Sequence, residues 1–267
     1  MLWRHALALV AVILFVAPLV LMVSGSLRGA GLPPPRVPEL VPSPLVFENY
    51  SRAFGLVDLW RYALNSLIVA GLAVPLSVLV ASWAGFAMAR LRSSGEAALV
   101  VISLVTLMVP VTALLVPRFA LFRSLGLTDT FVPLVAPALL GMSPFYVLVY
   151  YWAFRRVPGE LFDAGRLEGL SAFEAWRFAM PLVNPVTVVV ALLAFTVSWS
   201  NFLDPLIYLY DERLFTLPLG VKSLAQLDRL NFPLLLAGAV AATGPVVAVF
   251  VIVQRFFLKE IHLWHVR

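Results

Sequence analysis

The sequence predicts an all-α membrane protein with six transmembrane helices and a charged two-helix loop between spans four and five. The composition supports this, because 62% of the 267 residues are hydrophobic and only 12% are charged. An average soluble domain is about half apolar and about a quarter charged. The apolar residues also fall into long runs separated by short charged segments, and six runs reach the roughly 20 residues that a helix needs to cross a bilayer.

The six predicted spans contain almost no charge. They lie at about residues 6–27, 65–89, 97–117, 131–154, 183–209 and 233–257. An arginine or aspartate at a helix centre costs about 2.5–3.5 kcal/mol on insertion scales, so this avoidance of charge favours lipid as the solvent. The first run follows Arg4 and lacks a clear cleavage site, so we interpret it as a retained span and not as a signal peptide. We therefore predict a single transmembrane domain over residues 1–267.

The orientation of the spans does not follow from charge. With the N-terminus inside, the outer loops are 28–64, 118–130 and 210–232, and the charged loop 157–181 lies on the same side as both termini. The inner segments then hold ten lysines and arginines and the outer segments nine, which does not decide the topology by the positive-inside rule. The basic ends "MLWRH" and "RFFLKEIHLWHVR" suit the cytoplasm, where we expect both termini.

Several kinds of chemistry are missing from the sequence. The absence of cysteine excludes disulfides, thiol catalysis and cysteine-ligated metals. Neither lysine, Lys222 or Lys259, follows the glycine of a phosphate-binding loop, so we expect no ATP site. His262 and His265 lack a third ligand beside them, and we expect no metal site. Only Asp204 lies near a span interior, which argues against ion-coupled transport and against catalysis. We therefore expect the chain not to be an enzyme.

The net charge of +5 is explained by arginines at a membrane face, and we expect no nucleic-acid partner.

The charged loop "ELFDAGRLEGLSAFEAWRFAMPL" predicts two short amphipathic helices. The first runs from Glu160 to residue 168 and ends at Gly169, which we expect to adopt a left-handed cap. Ser171 and Glu174 form the pattern of a capping box, which begins the second helix. Pro181 marks the end of that helix. From the residues alone, the loop is equally well a docking surface for a partner or a segment that rests on lipid headgroups.

This loop resembles the cytoplasmic coupling loop of permease subunits in binding-protein-dependent ABC importers. That loop contains Glu-Ala-Ala, three residues, Gly and, about a dozen residues later, Leu-Pro. Asp163, Ala164 and Gly165 stand at the Glu-Ala-Ala positions, and Gly169 and Pro181 stand at the Gly and Pro. The chain departs from the pattern at Asp163 and Gly165, and its Gly-to-Pro interval is one residue shorter than expected.

Further motifs resemble the second, six-span permease of the carbohydrate-importing branch, which includes the maltose and glycerol-phosphate types. They are "FENYSRAF", "NSLIVA", "MVPVTALLVPRF", "LGLTDTF", "SWSNFLDPLIYL" and "VQRFF". The resemblance implies an inner-membrane permease that forms half of the translocation pathway for a sugar or sugar-like solute. It also implies a second homologous permease, two ATPase subunits that bind ATP and Mg²⁺, and an extracytoplasmic solute-binding protein. The chain itself is expected to bind no cofactor.

The resemblance assigns the coupling role to residues of the loop. They are Glu160, Asp163, Ala164, Gly165, Glu168, Gly169 and Pro181.

Residues of the fifth span are candidates for contact with the solute. They are Phe195, Ser198, Trp199, Asn201 and Phe202. Aromatic rings stack on sugar rings and amides bond hydroxyl groups, but for any one of these residues packing against lipid and neighbouring helices is the commoner role.

Two alternative functions remain open at this point. The first is a permease of a non-sugar importer branch, which would keep the loop pattern. The second is a membrane assembly protein without a transport role, which would purify without an ATPase.

Overall fold

The computed structural model describes residues 2–90, 95–228 and 230–264, and these residues form helices and no strand. The predicted all-α class is therefore confirmed. The α-helices are α1 Leu2–Ser26, α2 Glu48–Leu56, α3 Leu59–Arg90, α4 Gly95–Leu107, α5 Leu115–Ser124, α6 Val132–Val135, α7 Pro144–Arg155, α8 Gly159–Leu167, α9 Ala172–Ala179, α10 Asn184–Trp199, α11 Leu203–Tyr208, α12 Leu217–Leu227 and α13 Phe232–Trp264. The histidine pair at 262 and 265 lies outside the residues whose side chains are described.

Five helical segments of the described chain are long and apolar enough to cross a membrane, and a bent pair of helices brings the number to six. The five are Trp3–Ser26, Leu59–Arg90, Val132–Arg155, Ala172–Trp199 and Phe232–Arg255. The bent pair is Gly95–Leu107 with Val111–Ser124, and its two parts meet at 85°. The predicted count of six spans holds when this pair is counted as one.

Three predicted spans are interrupted, although their sequences are continuous apolar runs. The run 97–117 bends at Pro110, which has an extended backbone and separates α4 from a 3₁₀ turn, Val111–Leu114. The run 131–154 breaks at Gly141, whose φ of 74° is in the left-handed region. The run 183–209 breaks between α10 and α11. Proline lacks the amide proton of a helix, and glycine tolerates positive φ, so both provide places where a helix can end.

The chain divides into two compact units, of which the first comprises Met1–Asn65 and Phe215–Ala248. In this unit Asn49 from the "FENYSRAF" motif is fully buried. Its Nδ2 donates hydrogen bonds to the carbonyl oxygens of Ser26 and Arg28, at 2.8 and 2.7 Å. These two carbonyl oxygens lie at or just after the C-terminal end of α1 and have no partner within that helix. Asn49 therefore supplies hydrogen bonds that the end of the first span would otherwise lack. The motif therefore has a structural role.

The second unit comprises Ser66–Leu214 and Val249–Arg267, and its core is formed by α3, α7 and the residues that pack on them. The two helices approach most closely at Gly85 of α3. A Cβ atom at Gly85 would lie 2.6 Å from Cβ of Tyr150 and 2.8 Å from the carbonyl oxygen of Val147. Small residues that allow close backbone approach are the usual means of packing helices in a membrane.

The "LGLTDTF" motif joins two loops of the second unit. Asp129 has a φ of 60°, and its Oδ1 accepts hydrogen bonds from the amides of Tyr210 and Asp211, both at 2.9 Å. Its own amide donates to the carbonyl oxygen of Tyr208 at 2.7 Å. Residues up to Ser124 of the predicted loop 118–130 are helical in α5, and Asp129 fixes the segment after α5 to the chain that follows α11.

Candidate functional site

The candidate site is the loop between α7 and α10, and its first helix is closed by a glycine turn. Helix α8 ends at Leu167, and Gly169 has a φ of 80°. The amide of Leu170 donates to the carbonyl oxygen of Gly165 at 2.9 Å, and that of Gly169 donates to Arg166 at 3.0 Å. This pair of bonds is the Schellman motif, which satisfies the last carbonyls of a helix. The predicted cap at Gly169 is present, and α8 ends at Leu167, one residue before the predicted end at 168.

The second helix of the loop begins with the predicted capping box. The Ser171 hydroxyl accepts a hydrogen bond from the amide of Glu174, whose carboxylate accepts from the amide of Ser171. Helix α9 then runs to Ala179 and passes into a 3₁₀ turn, Met180–Val183, which contains Pro181. Both helices of the loop are therefore defined by local sequence.

One face of α8 is buried against α3. The ring of Phe162 lies 5.8 Å from that of Phe86, centroid to centroid. The Arg90 guanidinium lies over the same Phe162 ring, with its Cζ 3.4 Å from the ring centroid. Arg90 also donates from Nη2 to the carbonyl oxygen of Phe154, near the end of α7, at 2.8 Å. The first loop helix is therefore attached to the ends of two membrane-spanning helices.

The second loop helix, α9, is attached to α3 about two turns before Arg90. Trp176 is buried, and its indole Nε1 donates to Ser82 Oγ at 3.3 Å. The Trp83 ring contacts the rings of Trp176 and Phe173, with centroids 5.8 and 6.0 Å apart. Aromatic pairs at such distances are each worth about 0.5–1.5 kcal/mol beyond the area that they bury.

The opposite face of α8 is exposed and carries most of the predicted coupling residues. Glu160, Asp163, Ala164, Leu167 and Glu168 are all exposed, and their spacing places them on one side of the helix. Leu167 is 92% exposed, an unusual position for a leucine in a helix that also has a buried side. The arrangement leaves a continuous surface of small, acidic and apolar side chains open to a partner.

Of the remaining predicted coupling residues, Gly165 lies within α8, and Gly169 and Pro181 lie at turns. Gly169 and Pro181 are exposed, whereas Gly165 is partly buried beneath Leu170. A Cβ atom at Gly165 would lie 2.9 Å from Cδ1 of Leu170. Gly165, which departs from the Glu-Ala-Ala pattern, therefore leaves the space that the Leu170 side chain occupies.

The structure places the predicted solute-path residues in two groups. Phe195 and Trp199 stack with ring centroids 5.5 Å apart, and Trp199 is only 2% exposed. The Asn201 amide donates to Asp204 Oδ2 at 2.9 Å. Ser198 Oγ is buried and has no hydrogen-bond partner among the described residues, and Phe202 is partly buried before α11.

An ion pair that the sequence did not predict joins the interrupted third and fifth spans. Nη1 of Arg118 in α5 lies 3.5 Å from Oδ1 of Asp204 in α11, and both side chains are largely buried. Ionisable groups at membrane depth are costly unless they are paired. Each of these two charges therefore requires the other.

We predict that Asp204→Asn lowers the stability of the protein by on the order of 2 kcal/mol, because Arg118 loses its ionic partner in a largely buried place. The double variant Arg118→Asp with Asp204→Arg is expected to recover part of the loss. Thermal unfolding in detergent, followed by size-exclusion chromatography, measures both.

Arg166→Gln is the matched control, because it breaks an ion pair with Asp163 that is more than half exposed and contributes under about 1 kcal/mol. Equal unfolding temperatures for Asp204→Asn and the wild type would contradict the prediction.

Together, these features define a multi-span membrane protein with an exposed helical loop between two of its spans. The chain belongs to the family described as binding-protein-dependent transport system inner membrane component, which matches residues 50–262. It is thus a permease component of a transport system located in a membrane.

The similar curated proteins include permeases of transport systems for arabinooligosaccharides, lactose and sn-glycerol-3-phosphate. The chain is 32% identical to the arabinooligosaccharides transport system permease protein AraQ of Halalkalibacterium halodurans, over 81% of this chain and 78% of that protein. It is 30% identical to the lactose transport system permease protein LacG of Rhizobium radiobacter, over 80% and 78%. It is 28% identical to the sn-glycerol-3-phosphate transport system permease protein UgpE of Rhizobium meliloti, over 96% and 93%.

The fold is similar to a chain in the crystal structure of a bacterial ABC transporter involved in the import of the acidic polysaccharide alginate. The TM-score is 0.78 at 20% identity, and the match covers 96% of this chain and 95% of the other. The alternative of a membrane assembly protein without a transport role is not favoured by these similarities.

Residues of α3 that hold the loop were missed in the sequence. Ser82, Trp83, Phe86 and Arg90 lie far from the loop along the chain, and no local pattern points to them. Most of these residues are spaced three or four apart, which places them on one face of the helix. That spacing could have indicated a face of α3 that packs against another helix.

Proposed function

We propose that this chain is one of two homologous permease subunits of an ATP-driven importer of a sugar or sugar-like solute. A solute-binding protein outside the cytoplasm delivers the solute, and two ATPase subunits supply the energy. The observation that carries the proposal is the exposed face of α8, which lies between two spans and is held firmly on its other side. The names of the similar permeases, which refer to arabinooligosaccharides, lactose and sn-glycerol-3-phosphate, support the class of solute.

In this proposal the exposed face of α8 binds in a cleft of an ATPase subunit, on the cytoplasmic side together with both termini. Ala164 and Gly165 keep the helix narrow, so that the walls of the cleft can approach closely. Glu160, Asp163 and Glu168 supply acidic groups for basic or hydrogen-bonding partners, and Leu167 buries its exposed side chain. Gly169 and Pro181 set the turns that orient the two helices.

The solute path runs beside α10 in this proposal. Asn201, which already bonds Asp204, and Ser198, with its unpartnered hydroxyl, supply groups that can bond sugar hydroxyls. Trp199 is buried in this conformation, so its ring and that of Phe195 would reach a sugar only after α10 moves. Phe202, before α11, completes the group.

The proposal is tested by purifying the tagged chain from its native membrane in a mild detergent. We expect an ATPase subunit and a second permease of the same family to co-purify with it. Thermal-shift screening of the associated binding protein against sugars, amino acids and phosphate then identifies the solute class. Purification without an ATPase would contradict the transport role, and stabilisation by amino acids alone would favour the non-sugar branch.

A further inference from the structure

We propose that the last part of α3, residues 82–90, is the element through which the loop moves the membrane-spanning helices, with Arg90 as the positioning residue. This inference rests on the proposed function of the loop. The loop is joined by the chain to α7 and α10, so a movement of the loop reaches these helices directly. No such covalent connection exists to α3, which is attached to the loop by side-chain contacts alone.

The first of these contacts is made by Arg90, the last residue of α3. Its guanidinium stacks on Phe162 of α8, with Cζ 3.4 Å from the ring centroid, and its Nη2 bonds the Phe154 carbonyl oxygen at 2.8 Å. A single side chain thus connects α3, α7 and α8. Arg90 Nε is buried and has no hydrogen-bond partner among the described residues. The guanidinium is therefore held mainly by its stacking on Phe162 and by the one bond to the Phe154 carbonyl oxygen.

The second contact is independent of the first and lies two turns earlier in α3. Trp176 of α9 donates to Ser82 Oγ, and the ring of Trp83 packs against Trp176 and Phe173. Two separate attachments along one helix prevent the loop from pivoting about either one. The loop and the last part of α3 should therefore move together.

The movement of α3 is passed on to α7 at Gly85. The backbone of α7 lies so close to this glycine that the two helices cannot slide past each other without separating. Phe86 adds to the contact, since its ring lies 5.3 Å from that of Phe154 and 5.8 Å from that of Phe162. The loop, α3 and α7 thus form a rigid body of the kind that carries hinge and shear motions in other proteins.

Lysine cannot replace Arg90 in this role. A guanidinium is planar, so it can stack on Phe162 while its edge donates to the Phe154 carbonyl, whereas an ammonium is a point charge on a flexible stem. The arrangement therefore predicts that the shape of the side chain matters as well as its charge.

The test compares Arg90→Gln and Arg90→Lys in the complete transporter, reconstituted in liposomes with its native partners. We expect the ATPase subunits to remain bound in wild-type amounts, ATP hydrolysis to continue, and solute uptake per ATP to fall about tenfold in both variants. Arg123→Gln, at an exposed arginine in the last turn of α5, is the control and should leave this ratio unchanged. A wild-type ratio in Arg90→Gln, or full rescue by lysine, would overturn the proposal, as would loss of the ATPase subunits.

A cross-link tests the same proposal in a second way, because it replaces the ring contact between Phe86 and Phe162 with a covalent bond. The chain has no cysteine, so the pair Phe86→Cys and Phe162→Cys is the only possible disulfide within this subunit. If α3 and α8 move as one body, uptake by the oxidised form should equal or exceed that of the reduced form, which lacks both the ring contact and the stacking of Arg90 on Phe162. Uptake that is lost on oxidation and restored by reductant would show that the contact must open, and would overturn the proposal.

The two proposals fail in different ways. If the wild-type chain retains no ATPase subunit, the proposed function itself is wrong. If the ATPase is retained and Arg90→Gln transports normally, only the role of α3 is wrong.

Discussion

Replacing Ala164 with arginine should abolish solute uptake while leaving the amount of protein in the membrane unchanged. Ala164 is exposed on α8, so the fold should tolerate a larger side chain. In the proposed function, an arginine there would occupy the space that an ATPase subunit needs in order to approach the helix, since tightly packed interface centres do not accept added volume. Uptake by cells and the quantity of protein in purified membranes are the two measurements.

Two further variants make this prediction specific. Ala164→Ser keeps the small size and should transport as the wild type does. Gly169→Pro should also abolish uptake, because proline cannot adopt the φ of 80° or donate the amide bond that closes the turn. Wild-type uptake in Ala164→Arg would exclude this face of α8 as a docking surface.

Gly85→Val should prevent the second unit from folding correctly. The new side chain would overlap Cβ of Tyr150, the amide nitrogen of Tyr151 and the carbonyl oxygen of Val147, and two of these are backbone atoms that cannot turn aside. Overpacking of a well-packed core costs about 1–3 kcal/mol, and occasionally more, and the backbone overlap places this variant at or above the upper end. The measurement is the yield of monodisperse protein after extraction in detergent.

The same helix provides the control for this variant. Gly71 is exposed, and a Cβ atom there would meet nothing within 4 Å. Gly71→Val therefore makes the same chemical change in α3 without the overlap, and its yield should remain near that of the wild type. Equal yields for the two variants would contradict the close packing of α3 on α7.

The number and approximate position of the spans could be predicted from the sequence because the cost of placing charge in lipid leaves a clear pattern. The breaks within the spans could not. Pro75 and Pro110 both lie inside apolar runs, yet Pro75 is within the long helix α3 and Pro110 stands at a bend of 85°. Neighbouring helices decide whether a proline kinks or ends a helix in a membrane, and those neighbours are not encoded locally.

The candidate site shows the same division between local and distant interactions. The capping box of Ser171 with Glu174 and the turn at Gly169 involve residues a few positions apart, so the sequence predicts them. The stacking of Arg90 on Phe162 joins distant parts of the chain, and nothing near either residue indicates it. Asn201 was predicted as a residue of the solute path, but the ion pair between its hydrogen-bond partner Asp204 and Arg118 was not, because that pair depends on the interruption of two spans.

The docking role of the loop is best tested by a photo-activated cross-linking residue placed at position 167, in the complex as it exists in the membrane. Leu167 is 92% exposed on the free face of α8, whereas Phe162 is buried against α3, and a probe at 162 serves as the control. We predict that illumination joins position 167 to an ATPase subunit, and that the probe at 162 gives no such product. A probe at 167 that reacts only with lipid, or with no ATPase subunit, would contradict the proposed coupling.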